Sequence, residues 1–208
     1  PLKSLIYFSM NKQNFYDLNF DQLKNFLIEK GEIDGKKAKM RAQQMFNAVY
    51  KKNIKNFDEL TTFGLELREK IKNLISLEKP KITDIQKSKD GTIKFLLELK
   101  DKRNVETVLI PDKAQSRYTI CLSVSVGCYL SCEFCATAQI SKKLVRNLTP
   151  GEIISQIILC KDYINDWSTQ KKITNQVLMG EGSPFLNLDN VKVAIDNSKN
   201  KDGLEYGR

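Results

Sequence analysis

Residues 120 to 137 read I-C-L-S-V-S-V-G-C-Y-L-S-C-E-F-C-A-T. An apolar run from Ile120 to Val126 stops at Gly127, and three cysteines follow at Cys128, Cys132 and Cys135. This CxxxCxxC spacing puts three thiolates in one short loop. Three thiolates hold a four-iron cluster and leave one iron without a protein ligand. That open iron offers a small molecule a binding position, which a fully ligated cluster does not. Gly127 is expected to let the backbone turn so that the thiolates converge. Zinc is the competing reading, but a closed structural zinc site needs four nitrogen or sulfur ligands. The nearest fourth candidate is Cys121, and no paired CxxC knuckle is present. Disulfides fit poorly with five cysteines and no export signal.

The residues on either side of this loop read as alternating strand and helix. Ile120 to Val126 has the composition of a buried strand. Thr149-Pro150-Gly151-Glu152 has a hydroxyl N-cap, a proline at the first helical position and a glutamate three residues on, which together start a helix. That helix carries Ile153, Ile154, Ile157, Ile158 and Tyr163, and Cys160 reads as one of its core residues. Asn175 to Met179 is a short apolar strand ending in Gly180. Strand, loop, helix, strand predicts a parallel sheet with ligands at the carboxyl ends of its strands. Both the cysteine loop and the turn M-G-E-G-S-P, Met179 to Pro184, fall at such ends. Lys142, Lys143 and Arg146 follow the cysteine loop and are candidates to meet phosphates.

Upstream the pattern changes twice. Residues 81 to 110 read as a β meander, with Asp90-Gly91 as a hairpin turn between Ile82–Lys87 and Thr92–Leu99, then Val105–Ile110 closed by Pro111. Residues 19 to 78 read as three helices. Asn19 caps the first, with Phe20, Leu23, Phe26 and Leu27 on one face and Gly31 at its end. Ala38, Met45, Phe46, Val49 and Tyr50 mark the second, and Leu65, Leu67, Ile71, Leu74 and Ile75 the third. The expected layout is a helical domain over 10–80, a meander over 81–111 and an α/β core over 112–208.

Composition bounds the chemistry. The chain has 208 residues, 41% of them hydrophobic, enough for a real core. No apolar run approaches a membrane span, and PLKSLIYFSM is too short and interrupted for a signal peptide. A reducing cytosol is therefore expected. There is no histidine, which removes Ser-His-Asp and Cys-His catalysis and histidine-ligated metals. A net charge of +9 and a pI near 9.2 favour a polyanionic partner, most simply nucleic acid.

The string C-L-S-V-S-V-G-C-x3-C-x2-C-A-T-A-Q with R-N-L-T-P-G-E-I-I-S-Q-I resembles the radical S-adenosylmethionine RNA methyltransferases that act on adenine C2. D-G-T-I-K-F, V-E-T-V-L-I-P and N-F-D-E-L-T extend the likeness to about residues 14 to 200. The resemblance implies an α/β fold: an N-terminal helical domain and small meander followed by the first part of a radical SAM partial (β/α) barrel. It implies methylation of 23S ribosomal RNA and transfer RNA by a cytoplasmic monomer that touches no membrane. A [4Fe-4S] cluster, two S-adenosylmethionine molecules and an electron donor such as flavodoxin would take part. Carried over by position, Cys128, Cys132 and Cys135 are the cluster ligands and Phe134 lies near the cofactor's adenine. Glu106 is the proton acceptor, and Cys121 forms a transient disulfide that releases product. Gly182 and Ser183 occupy a glycine-glutamate pair that meets the cofactor's amino group. The family pattern there is M-G-M-G-E-P; here Ser183 stands for the glutamate and Glu181 lies two places earlier. The family's barrel is longer and carries a late methyl-bearing cysteine, so the chain reads as an N-terminal fragment, inactive and poorly stable alone. Met10 is a candidate natural start. A relative acting on adenine C8, or a non-catalytic basic RNA-binding module with a structural metal, stays open on sequence.

Overall fold

The computed structural model describes residues 12–112, 114–130, 132–140 and 145–207. Lys142, Lys143 and Met10 lie outside them. The helices form where the apolar stripes place them. α1 (Phe20–Glu29) starts at Asn19, whose side chain accepts from the Gln22 amide while the Gln22 side chain accepts from the Asn19 amide. Its Leu23 and Leu27 are fully buried. α2 (Gly35–Phe46) continues through a π turn at Asn47–Lys51, and together they bury Ala38, Ala42, Met45, Phe46, Val49 and Tyr50. α3 (Leu65–Leu74) buries Ile71. Phe15, Tyr16, Phe46 and Tyr50 interlock with ring centroids 5.2 to 6.0 Å apart. The two ends of this helical module meet where β1 (Gln13–Asn14) pairs in parallel with β2 (Ile75–Ser76).

A five-stranded sheet follows, in the order β3 (Lys81–Lys87), β4 (Ile93–Glu98), β5 (Asn104–Asp112), β6 (Arg117–Cys121), β9 (Ile173–Val177). The first four strands are antiparallel, and β6 and β9 are parallel. Asp90 and Gly91 make the first hairpin turn, with Gly91 at φ +94°. Three segments depart from the expected boundaries. β5 runs through Pro111 to Asp112, pairing Pro111 with Tyr118, so the meander and the core share one sheet. The run Ile120–Val126 is two pieces rather than one strand. Pairing with β5 and β9 ends at Cys121, and Ser125–Val126 (β7) leaves to pair with Arg146–Asn147 (β8). The break occurs because the side chain of Gln156 takes over the Ser123 backbone: its amide oxygen accepts the Ser123 N–H and its NH2 donates to the Ser123 carbonyl, both at 2.9 Å. β9 also begins two residues earlier than expected.

Between β6 and β9 the chain carries the cysteine loop, α4 (Ala136–Ile140), β8 and α5 (Pro150–Ile164). α5 starts with the predicted capping box, Thr149 with Glu152. Asp17 of the helical module also accepts the Gly151 amide at 2.7 Å, which ties that module to the crossover helix. α6 (Leu188–Lys199) packs against α5. One contiguous apolar cluster runs from Phe15 through the sheet to Tyr206. No helix among the described residues is long and apolar enough to cross a membrane.

Candidate functional site

The site is built where β6 and β9 end side by side. Beyond Cys121 the chain turns at Gly127, whose φ of +75° is the glycine conformation expected there. Beyond β9, the turn Gly180–Ser183 folds against the same segment. The Glu181 carbonyl accepts from Val124 and Ser125 at 2.8 and 3.2 Å, and the Gly180 amide donates to Leu122 at 3.0 Å. Approach is close: a Cβ on Gly180 would sit 2.8 Å from the Leu122 backbone, and one on Gly182 would sit 1.9 Å from the Ser125 hydroxyl. Gly182 has φ +96°, so the glycines serve both the turn and the contact.

The cysteine loop carries Cys128 buried and Cys132 and Cys135 partly exposed, all three as free thiols. Leu130 donates its amide to the Cys128 sulfur at 3.4 Å, and the Cys135 amide donates to the Cys132 carbonyl at 3.0 Å. Cys135 precedes α4, and the Ala138 amide of its first turn is the main cause holding this thiol below the usual range. That hydrogen bond makes the thiolate at this position easier to form than at an ordinary cysteine. The side chains are not gathered at one point: among the described residues no group of three His, Cys, Asp or Glu stands ready to hold a metal ion. The donor set nevertheless fits an iron-sulfur cluster, being three unpaired soft ligands on one loop, one of them stabilised as thiolate. Phe134 projects into solvent beside them at 92% exposure.

Glu106 reaches the same place from β5. Its carboxylate pairs with Lys94 at 2.9 Å. Its carbonyl accepts from the Ser123 hydroxyl at 2.6 Å, and that hydroxyl in turn accepts the Glu181 amide at 3.0 Å. Cys121 closes β6 partly buried, and burial pushes its thiol up. Ser183 lies just before the 3-10 turn Pro184–Asn187 and makes no side-chain cap bond. The structure therefore brings Glu106, Cys121, the cysteine loop and the Gly182-Ser183 turn to one end of the sheet. Cys160 is buried in α5, as its apolar context indicated.

Three residues hold this arrangement in roles that the sequence did not show. Gln156, fully buried, grips Ser123 and accepts from the Thr107 hydroxyl. Asn187 donates to the carbonyls of Val124 and Leu148, both at 2.8 Å. Glu181 accepts the Gly127 amide at 3.1 Å through its carboxylate; burial raises its pKa, and the charge of Glu106 adds to that. A glutamine in an apolar helix pattern was the only visible signal. Arg146, a candidate to meet phosphates, pairs with Glu152 at 2.7 Å and Asp101 at 2.8 Å.

Known proteins resemble the chain in sequence and in fold. Residues 13–77 match the family described as the ribosomal RNA large subunit methyltransferase N-terminal domain. The chain is 38% identical over 191 residues to the dual-specificity RNA methyltransferase RlmN of Oleidesulfovibrio alaskensis, covering 91% of this chain and 51% of the relative. It is 38% identical over 206 residues to the same-named protein of Campylobacter fetus, covering 94% and 54%. Among solved structures, a radical SAM methyltransferase from Sphaerobacter thermophilus superposes with a TM-score of 0.78 at 30% identity, covering 94% of this chain and 54% of that one. The chain spans about half the length of the curated relatives it matches.

Proposed function

We propose, for a chain whose sequence follows the first half of the RlmN-type radical SAM methyltransferases across nine-tenths of its length, that it carries the cluster-binding part of an enzyme methylating C2 of adenine in 23S ribosomal RNA and transfer RNA. The observation that supports this most is the cysteine loop at the end of β6, folded against the Gly180–Ser183 turn at the end of the neighbouring parallel β9. Ligands of open α/β sheets bind at such paired strand ends.

Cys128, Cys132 and Cys135 hold a [4Fe-4S] cluster, and Phe134, Gly182 and Ser183 contribute to the S-adenosylmethionine pocket. Bound there, cluster and cofactor supply one-electron chemistry that methylates an aromatic carbon too weakly nucleophilic for ordinary methyl transfer. The chain's own residues position and exclude water. Gly182 lets the second loop lie against the first without a side chain between them. Glu106, whose carboxylate lies 2.9 Å from the Lys94 ammonium, accepts a proton. Cys121, partly buried at the end of β6, is the cysteine that the family resemblance assigns to product release. The electron donor is a low-potential protein such as flavodoxin, and the enzyme is a cytoplasmic monomer.

Anaerobic reconstitution with iron and sulfide tests this. About four irons per chain are expected in the natural sequence, and loss of iron in Cys128→Ala. A reduced-cluster spectrum that shifts on adding S-adenosylmethionine identifies the open iron. One zinc per chain without iron, or undiminished iron in Cys128→Ala, contradicts the reading.

A further inference from the structure

At the other end of the sheet, where β9 begins, an open cavity of about 940 Å³ is walled by Lys51, Lys161, Lys171, Lys199 and Lys201 around Trp167. The cysteine loop lies beyond the last residue of β6, after β7, whereas Lys171 precedes the first residue of the parallel β9. A five-residue strand separates the two places by roughly 15 Å.

The five ammonium groups are not equally compensated. Lys51 pairs with Glu205 at 3.3 Å. Lys161 is buried, with its Nζ 4.6 Å from the Trp167 ring centroid, 5.6 Å from that of Tyr206 and 3.6 Å from Asp166. Lys171 lies 5.0 Å over the Tyr206 ring and donates to the Glu205 carbonyl, while Lys51 repels it. Lys199 and Lys201 are exposed on the rim with no ion pair among the described residues. Among the described residues, Glu205 is the one carboxylate in the wall. No exposed large apolar side chain lines the cavity, so it lacks the anchor that a protein partner normally fills. Lysine point charges on an open wall suit the phosphates of a nucleic-acid strand.

From this geometry we infer a second RNA contact: the lysine cavity at the start of β9 docks the phosphate backbone of the substrate RNA away from the cysteine loop. Lys171, Lys199 and Lys201 make the contacts. Lys161, 4.6 Å from the Trp167 ring centroid, lies buried beneath them. The inference rests on the reading of RNA as partner and adds where, and through which groups, the strand is held.

The test uses the full chain and a fluorescein-labelled 20-nucleotide single-stranded RNA, followed by anisotropy across a salt series. Lys171→Gln/Lys199→Gln/Lys201→Gln is expected to weaken binding about tenfold near 100 mM salt and to lower the slope of log K against log salt by about 2, at about 0.7 per lost phosphate contact. Lys81→Gln/Lys87→Gln/Lys89→Gln removes the same charge from β3 and its turn and is expected to leave both within about twofold. Equal losses in the two triple variants overturn the inference, because bulk charge then explains binding. Unchanged binding in the first variant overturns it while leaving RNA as partner. No binding by the natural chain defeats both. A parallel calorimetric titration with inorganic pyrophosphate separates the remaining source: pyrophosphate binding abolished by the first variant, with RNA affinity unchanged, assigns the cavity to a small phosphate and overturns RNA docking.

Discussion

Single residues decide whether the two loops of the site can meet. Gly182 combines φ +96° with a Cβ position 1.9 Å from the Ser125 hydroxyl. Gly182→Ala is expected to cost about 3 kcal/mol by urea denaturation, because strain and clash add. Gly64→Ala, at a position with nothing within 4 Å and an ordinary φ of −61°, is expected to stay within about 1 kcal/mol. Gln156→Leu poses a different problem at similar volume: it leaves the Ser123 amide and carbonyl and the Thr107 hydroxyl buried without their partner. About 3 kcal/mol of destabilisation is expected. Equal melting temperatures for Gln156→Leu and the natural chain would show that the β6 break does not depend on this side chain.

At the scale of elements, α5 carries the largest share of the architecture. It returns the chain from β6 to β9, buries Ile153, Ile154, Ile157 and Ile158, and joins the helical module through Asp17. Its far end is held by a charged knot in which Asp162 meets Lys55 at 2.9 Å, Lys79 at 3.3 Å, Asn53 at 2.7 Å and the Trp167 indole at 2.9 Å. Burial pushes the Asp162 carboxyl up, but Lys55, Asn53 and Lys79 outweigh it, so its folded pKa lies below the ordinary value. The sign follows from linkage. A carboxylate depressed by folding stabilises above its unfolded pKa, near 4, and that stability is lost as pH falls through the folded value. Denaturant midpoints measured from pH 6 downward are therefore expected to fall below about pH 4. Asp162→Asn should be less stable at pH 6 and show a shallower fall; parallel curves for the two proteins would remove Asp162 as the source.

Taken whole, the molecule has one apolar cluster spanning the helical module and the sheet. Asn197 of α6 donates to the Leu18 carbonyl across the same boundary at 3.1 Å. Unfolding is expected as one transition, with Trp167 fluorescence and far-ultraviolet circular dichroism coincident in a thermal scan. Two separated transitions would mean that the helical module and the sheet unfold independently. The sequence alone determined most of the elements, because hydrophobic period, caps at Asn19 and Thr149 and the Asp90-Gly91 turn are local properties of the chain. It did not show that Ile120–Val126 breaks after Cys121, that β5 passes through Pro111, or that Arg146 is occupied by Glu152 and Asp101. Nor did it show Gln156, Asn187 and Glu181 as the groups that fix the loops. Those outcomes depend on which backbone amides and carbonyls lack a ladder partner after packing, and on which distant side chain lies close enough to replace it. Only the tertiary structure brings those groups together, so only the tertiary structure decided them.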